Sequence, residues 1–212
     1  MPPNELIRIL IVDDHPVVRA GLTSMLGTQP ALFVVGSAST GQEALCMLDK
    51  FSVDVAIVDL RMPGMNGVEV IDAIKRRGPL PRIIVLTNFE TDEDIYRAVQ
   101  AGAHAYLLKD TSQQEIVEAI HLVHANKRHF PPQIAARLAE RVARSPLTPR
   151  EHQILQMLAK GLTNKEIGRV LGISENTARN HVNSIIEKLQ VSDRTEAATT
   201  AIHQGLISLG DS

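Results

Sequence analysis

Val53-Asp54-Val55-Ala56-Ile57-Val58-Asp59-Leu60-Arg61-Met62-Pro63-Gly64 is an apolar, β-branched run that stops abruptly on an acid, followed by a Pro-Gly turn. Its apolar residues are mostly consecutive rather than alternate, the pattern of a strand covered on both faces. Outward from it, the runs Ile7–Val12, Leu32–Val35, Ile83–Leu86 and Ala105–Leu108 repeat the same grammar. Each run is followed by a loop and then by an amphipathic segment at helical spacing. Two of those segments open on capping-box patterns, Thr40-Gly-Gln-Glu43 and Ser112-Gln-Gln-Glu115.

Alternating strands and helices predict a parallel sheet with right-handed crossovers. Five such units predict a doubly wound, flavodoxin-like (βα)5 domain of class α/β. After the helix near Ser112–Asn126 the grammar changes, and no strand-like run recurs. Phe130-Pro131-Pro132 marks a break, and Gln133–Ala143 reads as a short basic helix or a linker. From Ser145-Pro146 the pattern is all helical. Thr148-Pro-Arg-Glu151 combines an N-cap, a Pro at the first helical position and a capping-box Glu. Thr163-Asn-Lys-Glu166, Ser174 and Asp193-Arg-Thr-Glu196 open three more helices, giving a small four-helix domain. The expected division is residues 1–125, a partly helical linker over 126–144, and residues 145–212.

The 212 residues suffice for two small domains with separate cores. Aromatics make up 3% and Trp is absent, which argues against stacking platforms for single-stranded nucleic acid. One cysteine, Cys46, excludes an intrachain disulfide and fits a reducing compartment; in Ala44-Leu45-Cys46-Met47-Leu48 it reads as a small buried hydrophobe. No apolar run approaches membrane-spanning length, and Met1-Pro2-Pro3-Asn4-Glu5 lacks a signal peptide's features, so the cytoplasm is the expected location. The net charge of −2 divides into −6 through His124 and +4 from Ala125 onward. Most of the basic excess lies in 125–144, while 145–212 balances at 7 and 7, so charge by itself does not mark a DNA binder.

The polar residues that break the runs carry the chemistry. Asp13 and Asp14 follow the first strand, Asp59 ends the third, Thr87 ends the fourth and Lys109 follows the fifth. All lie at carboxyl ends of parallel strands, the edge along which open α/β sheets bind ligands. Converging carboxylates repel unless a cation or proton intervenes, and a hard divalent ion held by a few carboxylates and waters describes Mg2+. One carboxylate could then act as nucleophile and form an acyl phosphate, with Lys109 as a point charge and Thr87 as a hydroxyl for the phosphoryl oxygens. The bland alternative is a set of loop-surface charges. An Asp-nucleophile phosphatase of the haloacid dehalogenase type would want a second acid two residues after the nucleophile, where this chain has Arg61. His121 and His124, near Glu118, could start a zinc site but lack an evident third ligand, so a solvated helix face is the expectation. His15 reads as a helix-start residue.

Val12-Asp13-Asp14-His15-Pro16, Val58-Asp59-Leu60-Arg61-Met62-Pro63-Gly64, Leu86-Thr87 and Ala101-Gly102-Ala103…Tyr106-Leu107-Leu108-Lys109-Asp110 closely resemble the receiver domains of response regulators over residues 5 to 125. The resemblance implies that Asp59 is the phosphoacceptor. It also implies that Asp14, Asp59 and the backbone carbonyl of Arg61 bind Mg2+, with Asp13 acting mainly through water. Thr87 and Tyr106 would be the switch pair, with Lys109 on the phosphoryl group. The donor would be a sensor histidine kinase, docking on Pro16-Val17-Val18-Arg19-Ala20-Gly21-Leu22, which is apolar on more than one helix face. Beyond self-phosphorylation or self-dephosphorylation at Asp59, no enzyme activity is expected. His104-Ala105 departs from the family, which usually has a Gly shortly before the aromatic.

In the last third, a Leu171-Gly172-Ile173-Ser174 turn between two helices makes a helix-turn-helix. Ala178, Val182, Ile185, Ile186 and Leu189 supply an inner face, and Asn176, Arg179, Asn180, Asn183 and Glu187 another. Arg reads guanine and Asn adenine in the major groove, while Lys165, Arg169 and Lys188 are candidates for phosphates. Leu147-Thr-Pro-Arg-Glu151…Gly161-Leu-Thr-Asn-Lys-Glu-Ile167…Thr177-Ala-Arg-Asn-His181-Val…Lys188-Leu-Gln-Val191…Arg194 resembles the LuxR-type helix-turn-helix over residues 145 to 208. With the receiver, this is the pattern of the NarL/FixJ class. That resemblance adds Thr177 to the DNA-facing set and implies that phosphorylation uncovers the recognition helix. It further implies dimerisation through the last helix (Glu196, Thr199, Thr200, His203) on paired half-sites of promoter DNA, with RNA polymerase a candidate partner. The class commonly has Val and Lys where this chain has Ala178 and Arg179. A helical bundle that binds a partner protein instead of DNA is the competing reading.

Overall fold

The five apolar runs pair into one parallel sheet in the computed structural model, which describes residues 6–79, 81–88, 91–143, 147–204 and 206–207. Its strands are β1 (Ile7–Val12), β2 (Leu32–Ala38), β3 (Val55–Val58), β4 (Arg82–Thr87) and β5 (Ala105–Leu108), in the spatial order β2-β1-β3-β4-β5. Between and after them run α1 (Pro16–Gly27), α2 (Gly41–Leu48), α3 (Gly67–Arg77), α4 (Asp92–Ala101) and α5 (Gln113–His124). This is the doubly wound, flavodoxin-like order. Register aligns the carboxyl ends: Val12 pairs with Val58, Val58 with Val85, and Thr87 with Leu108.

β3 begins at Val55 rather than Val53 because Asp54 has another task. Its carboxylate accepts two bonds from the Arg8 guanidinium, at 2.9 and 2.7 Å, and one from the Arg8 backbone N–H at 2.9 Å. One face of the sheet packs Ile9, Ile11, Ile57, Ile84 and Leu107 against Leu22 and Leu26 of α1 and Ile116, Ile120 and Val123 of α5. A fully buried Leu or Ile side chain contributes roughly 1.5–3 kcal/mol, so this cluster defines the domain.

The helix starts differ in detail from their sequence patterns. Thr40 and Ser112 each accept a bond from the residue three ahead, as expected. Glu43, however, turns to the N–H and hydroxyl of Ser39 (2.7 and 2.9 Å) rather than closing a box on Thr40. Full reciprocal boxes form at Asn66–Glu69, which the sequence reading passed over, and at Thr148–Glu151 and Thr163–Glu166. Cys46 is a correction: α2 buries Ala44 and Leu45, and the thiol is exposed on the opposite side.

The stretch 126–144 contains a helix, α6 (Pro132–Ala143). Four more helices follow: α7 (Pro149–Ala159), α8 (Asn164–Leu171), α9 (Glu175–Leu189) and α10 (Arg194–His203). Their core joins Ile154, Leu155 and Leu158 to Ile167, Ala178, Val182, Ile185, Ala197 and Ala201. The chain divides into two compact units, Met1–Glu90 with Asp94–Ala136 and Thr91–Glu93 with Arg137–Ser212. The expected opening of the second domain at Ser145-Pro146, and residues 1–5, lie outside the described residues. Among the described residues no helix is long and apolar enough to cross a membrane.

Candidate functional site

Three backbone hydrogen bonds carry the ladders one residue past the strands and place the acids. Asp13 N donates to Ala38 O (3.1 Å), Asp59 N to Val12 O (2.8 Å), and Lys109 N to Thr87 O (3.0 Å). Asp13, Asp59 and Thr87 are thereby buried at the sheet edge, with 2%, 3% and 0% of their surfaces exposed. The Lys109 ammonium bridges the two acids, 2.7 Å from Asp13 Oδ2 and 2.6 Å from Asp59 Oδ2. Burial would lower its pKa, but those hydrogen bonds and the two carboxylate charges outweigh it and raise the ammonium above its ordinary value.

Asp13, Asp14, His15 and Asp59 each offer a ligand atom, all within 4.8 Å of one another. One ammonium does not neutralise three carboxylates. Asp14 Oδ1 is buried, and although His15 Nδ1 stands 2.8 Å away, that oxygen accepts no hydrogen bond. A buried carboxylate oxygen without a donor fits a cation ligand, and an all-oxygen set of acids fits Mg2+. His15 also lies on Asp13, its N–H donating to Oδ1 at 2.8 Å and its ring Nδ1 at 3.2 Å. The imidazole is thus a neighbour of the acidic cluster that the sequence reading assigned only to the start of α1.

The β3–α3 loop is held by close backbone approach. A Cβ on Gly67 would lie 2.2 Å from Asp59 O and 2.7 Å from Leu60 Cα, so only glycine lets α3 begin against the segment carrying Asp59. Arg61 N donates to Asp59 Oδ1 at 3.3 Å, while the Arg61 guanidinium reaches Asp94 at 3.5 Å. No acid therefore stands at the position where a haloacid dehalogenase-type phosphatase requires one. Tyr106 is fully buried in β5 beside the strand that ends at Thr87. His121 and His124 are exposed, and among the described residues no third ligand joins them.

In the second unit, α8 and α9 meet at a tight turn. A Cβ on Gly168 would stand 2.8 Å from Ile173 O, so this glycine permits the approach. α9 buries Ala178, Val182 and Ile185 and exposes Asn176, Thr177, Arg179, Asn180 and Asn183 along its other side; Lys165 and Arg169 of α8 are exposed as well. Lys188 meets a competing partner. Its ammonium lies 2.7 Å from Glu151 Oε2, and Ser184 donates to Glu151 Oε1 at 2.6 Å. Burial would raise the Glu151 pKa, but the Lys188, Ser184 and Thr148 hydrogen bonds hold it down at about 2. Lys188 therefore anchors α9 to α7, a task invisible in the helix pattern.

On α10, Glu196 accepts from Ser192 N at 2.7 Å and Thr199 donates to Thr195 O at 2.7 Å, both on the exposed side; Thr200 is half-buried. The side chain of His203 lies outside the described residues. Ile202, which the sequence reading did not single out, is 37% exposed there.

Comparisons with known proteins agree with both halves. The receiver-domain family of response regulators matches residues 9–121, and the LuxR family of bacterial regulatory proteins matches residues 145–201. The transcriptional regulatory protein LiaR of Bacillus subtilis is 40% identical over 211 residues, covering 96% of this chain and all of LiaR. The response regulator protein VraR of Staphylococcus aureus is 37% identical over 206 residues, covering 95% of this chain and 99% of VraR. Among solved structures, the complex of the two-component response regulator RcsB with DNA aligns at a TM-score of 0.73 and 27% identity, over 92% of this chain and 98% of RcsB. The fold and the family matches define a receiver domain joined to a LuxR-type helix-turn-helix. The chain belongs to the two-component response regulators of the NarL/FixJ class, receiver plus LuxR-type domain.

Proposed function

We propose that this protein is a cytoplasmic transcription regulator that takes a phosphoryl group on Asp59 from a sensor histidine kinase and then binds promoter DNA as a dimer. The observation that supports it best is the buried Asp59 carboxylate, 2.6 Å from the Lys109 ammonium and clustered with Asp13 and Asp14. An Asp59 oxygen attacks phosphorus, the P–N bond to the kinase histidine breaks, and the freed imidazole takes up a proton. Lys109 exchanges part of its contact with Asp59 for the new phosphoryl oxygens. Asp14, Asp59 and the Arg61 carbonyl, with Asp13 through water, would hold Mg2+, which would supply neutralising charge for the phosphoryl group. Thr87 closes on that group, and the buried Tyr106 holds the inward position that accompanies it.

The donor kinase docks on α1. Leu22 and Leu26 are buried, leaving Pro16, Val17, Ala20 and Gly21 exposed, Val17 at 84%. Val17→Glu and Ala20→Glu should slow phosphotransfer from the cognate kinase at least tenfold while leaving labelling by a small phosphodonor unchanged. Equal loss with both donors would show damage to the pocket instead.

In the active state the LuxR-type domain is released and pairs through α10, by Glu196, Thr199, Thr200 and His203, on half-sites about one turn of DNA apart. Asn176, Thr177, Arg179, Asn180 and Asn183 face base edges, and Lys165 and Arg169 reach phosphates. Lys188 touches DNA only at the expense of its Glu151 pair. RNA polymerase is the next partner in the chain of events. The test is a mobility shift on the promoter of the protein's own operon, with and without a small phosphodonor and magnesium. Phosphodonor should tighten binding, and binding should fall steeply with salt; a salt-insensitive association, or none, would favour a protein partner for the helical domain.

A further inference from the structure

At the amino-terminal ends of β4 and β5, the sheet edge opposite Asp59, a cavity of about 460 Å3 opens between α3 and α4. That volume is within the ordinary range for small-molecule sites. Ile71, Ile74 and Ile83 form an apolar floor, and Lys75, Arg82 and Arg128 bring three positive charges to the lining. No described lining residue is a carboxylate, and none of the three cations forms an ion pair among the described residues. The nearest acid along the strand edge, Asp54, is already held by Arg8.

His104, the residue that departs from the family pattern, stands in the same cavity. The backbone N–H of Ile83 donates to its Nδ1 at 3.2 Å. A neutral imidazole whose Nδ1 accepts must carry its proton on Nε2. Nε2 lies 3.3 Å from Arg82 Nη1, which is always a donor. Two donors therefore face each other, with no acceptor between them. Burial, and then the charges of Arg82 and Arg128, keep the imidazole below its ordinary pKa, so protonating His104 does not relieve the conflict. An anionic oxygen accepting from both Nη1 and Nε2 does.

We propose that this cavity binds a small organic phosphate of mononucleotide size, its phosphoryl oxygens on Arg82, His104 and Arg128 and its apolar portion on the isoleucine floor. Three unpaired cations match a dianion better than a carboxylate, and guanidinium groups suit phosphate geometry. The apolar floor gives no purchase to a bare ion. The inference stands apart from the phosphoacceptor reading, because it uses the other end of the sheet and none of the same residues.

Calorimetric titration of the full chain with AMP, ribose 5-phosphate and inorganic phosphate tests it, alongside Arg82→Gln, Arg128→Gln and His104→Ala. AMP should bind, at least tenfold more weakly to each variant and at least tenfold more tightly than inorganic phosphate. Phosphodonor labelling of Asp59 should be unchanged in all three variants, which shows that the receiver remains folded. No heat with any probe at millimolar concentration overturns the proposal, as does undiminished AMP binding to the variants. Equal affinity for AMP and inorganic phosphate overturns the assignment of an organic ligand.

Discussion

Asp59→Ala should abolish acyl-phosphate labelling and the phosphodonor-dependent gain in DNA binding, yet leave the receiver's melting temperature unchanged or slightly raised. The two halves of this result come from one charge arrangement. Asp13, Asp14 and Asp59 each bring a carboxylate oxygen within 4.8 Å of the others, and a single ammonium bridges Asp13 and Asp59. Removing one carboxylate lessens the repulsion that the other two share, and Lys109 keeps its 2.7 Å contact with Asp13. The one backbone bond that alanine gives up is the long 3.3 Å contact from Arg61 N to Asp59 Oδ1, while the Asp59 main-chain N–H still reaches Val12 O. The cavity left is small and opens on the polar edge, so a large core penalty does not arise. The chemistry has no such substitute: the attacking oxygen is gone, and neither remaining acid stands at the end of β3. Phosphoprotein gels after treatment with a small phosphodonor measure the first half, and thermal melts the second. Labelling that persists in Asp59→Ala would move the phosphoacceptor to Asp13 or Asp14; a collapsed melting temperature would mean that Asp59 is chiefly structural.

How much of this is legible in the sequence depends on the range of the interaction that decides each residue's role. The strands were readable because burial on both faces writes consecutive apolar residues, and the acids because a carboxylate ending such a run has no reason to be there for packing. Asp13, Asp59, Thr87 and Lys109 fall together in space because parallel strands align their carboxyl ends, a rule that needs only the order of elements. What was not legible turned on partners distant in sequence. Asp54 reads as part of a strand until Arg8, 46 residues away, claims it. Cys46 reads as core until the roll of α2 turns it outward. Gly67 is one of 13 glycines, and only the backbone of Asp59 pressed against it sets it apart. Lys188 shares a periodic helix pattern with residues that face solvent, and nothing local reveals Glu151 37 residues earlier.

That last pair carries the second large effect. Glu151→Ala should destabilise the helix-turn-helix unit by about 3 kcal/mol, because it removes the buried carboxylate that ties Ser184 and Lys188 of α9 to α7 and opens the capping box of α7. For a unit of this size that lowers its melting transition by roughly 15 °C. Both tyrosines, Tyr96 and Tyr106, lie in the receiver unit and the chain has no Trp, so tyrosine fluorescence should be unmoved while the helical circular-dichroism transition shifts. The pH dependence has a definite sign. The Glu151 carboxyl lies at about 2 in the folded protein against an ordinary 4.5. Its contribution is therefore fully present above pH 4.5 and is lost as the pH falls toward 2. The stability gap between the native protein and Glu151→Ala should accordingly narrow over that window, and a gap that stays constant would mean that packing, not the charged network, holds the site. Because Ser184 and Lys188 sit on α9, the same carboxylate fixes the roll of the helix that presents Asn176, Arg179, Asn180 and Asn183. Loss of the network should therefore weaken DNA binding even at temperatures where the variant is still folded, through misalignment of side chains that never touch Glu151.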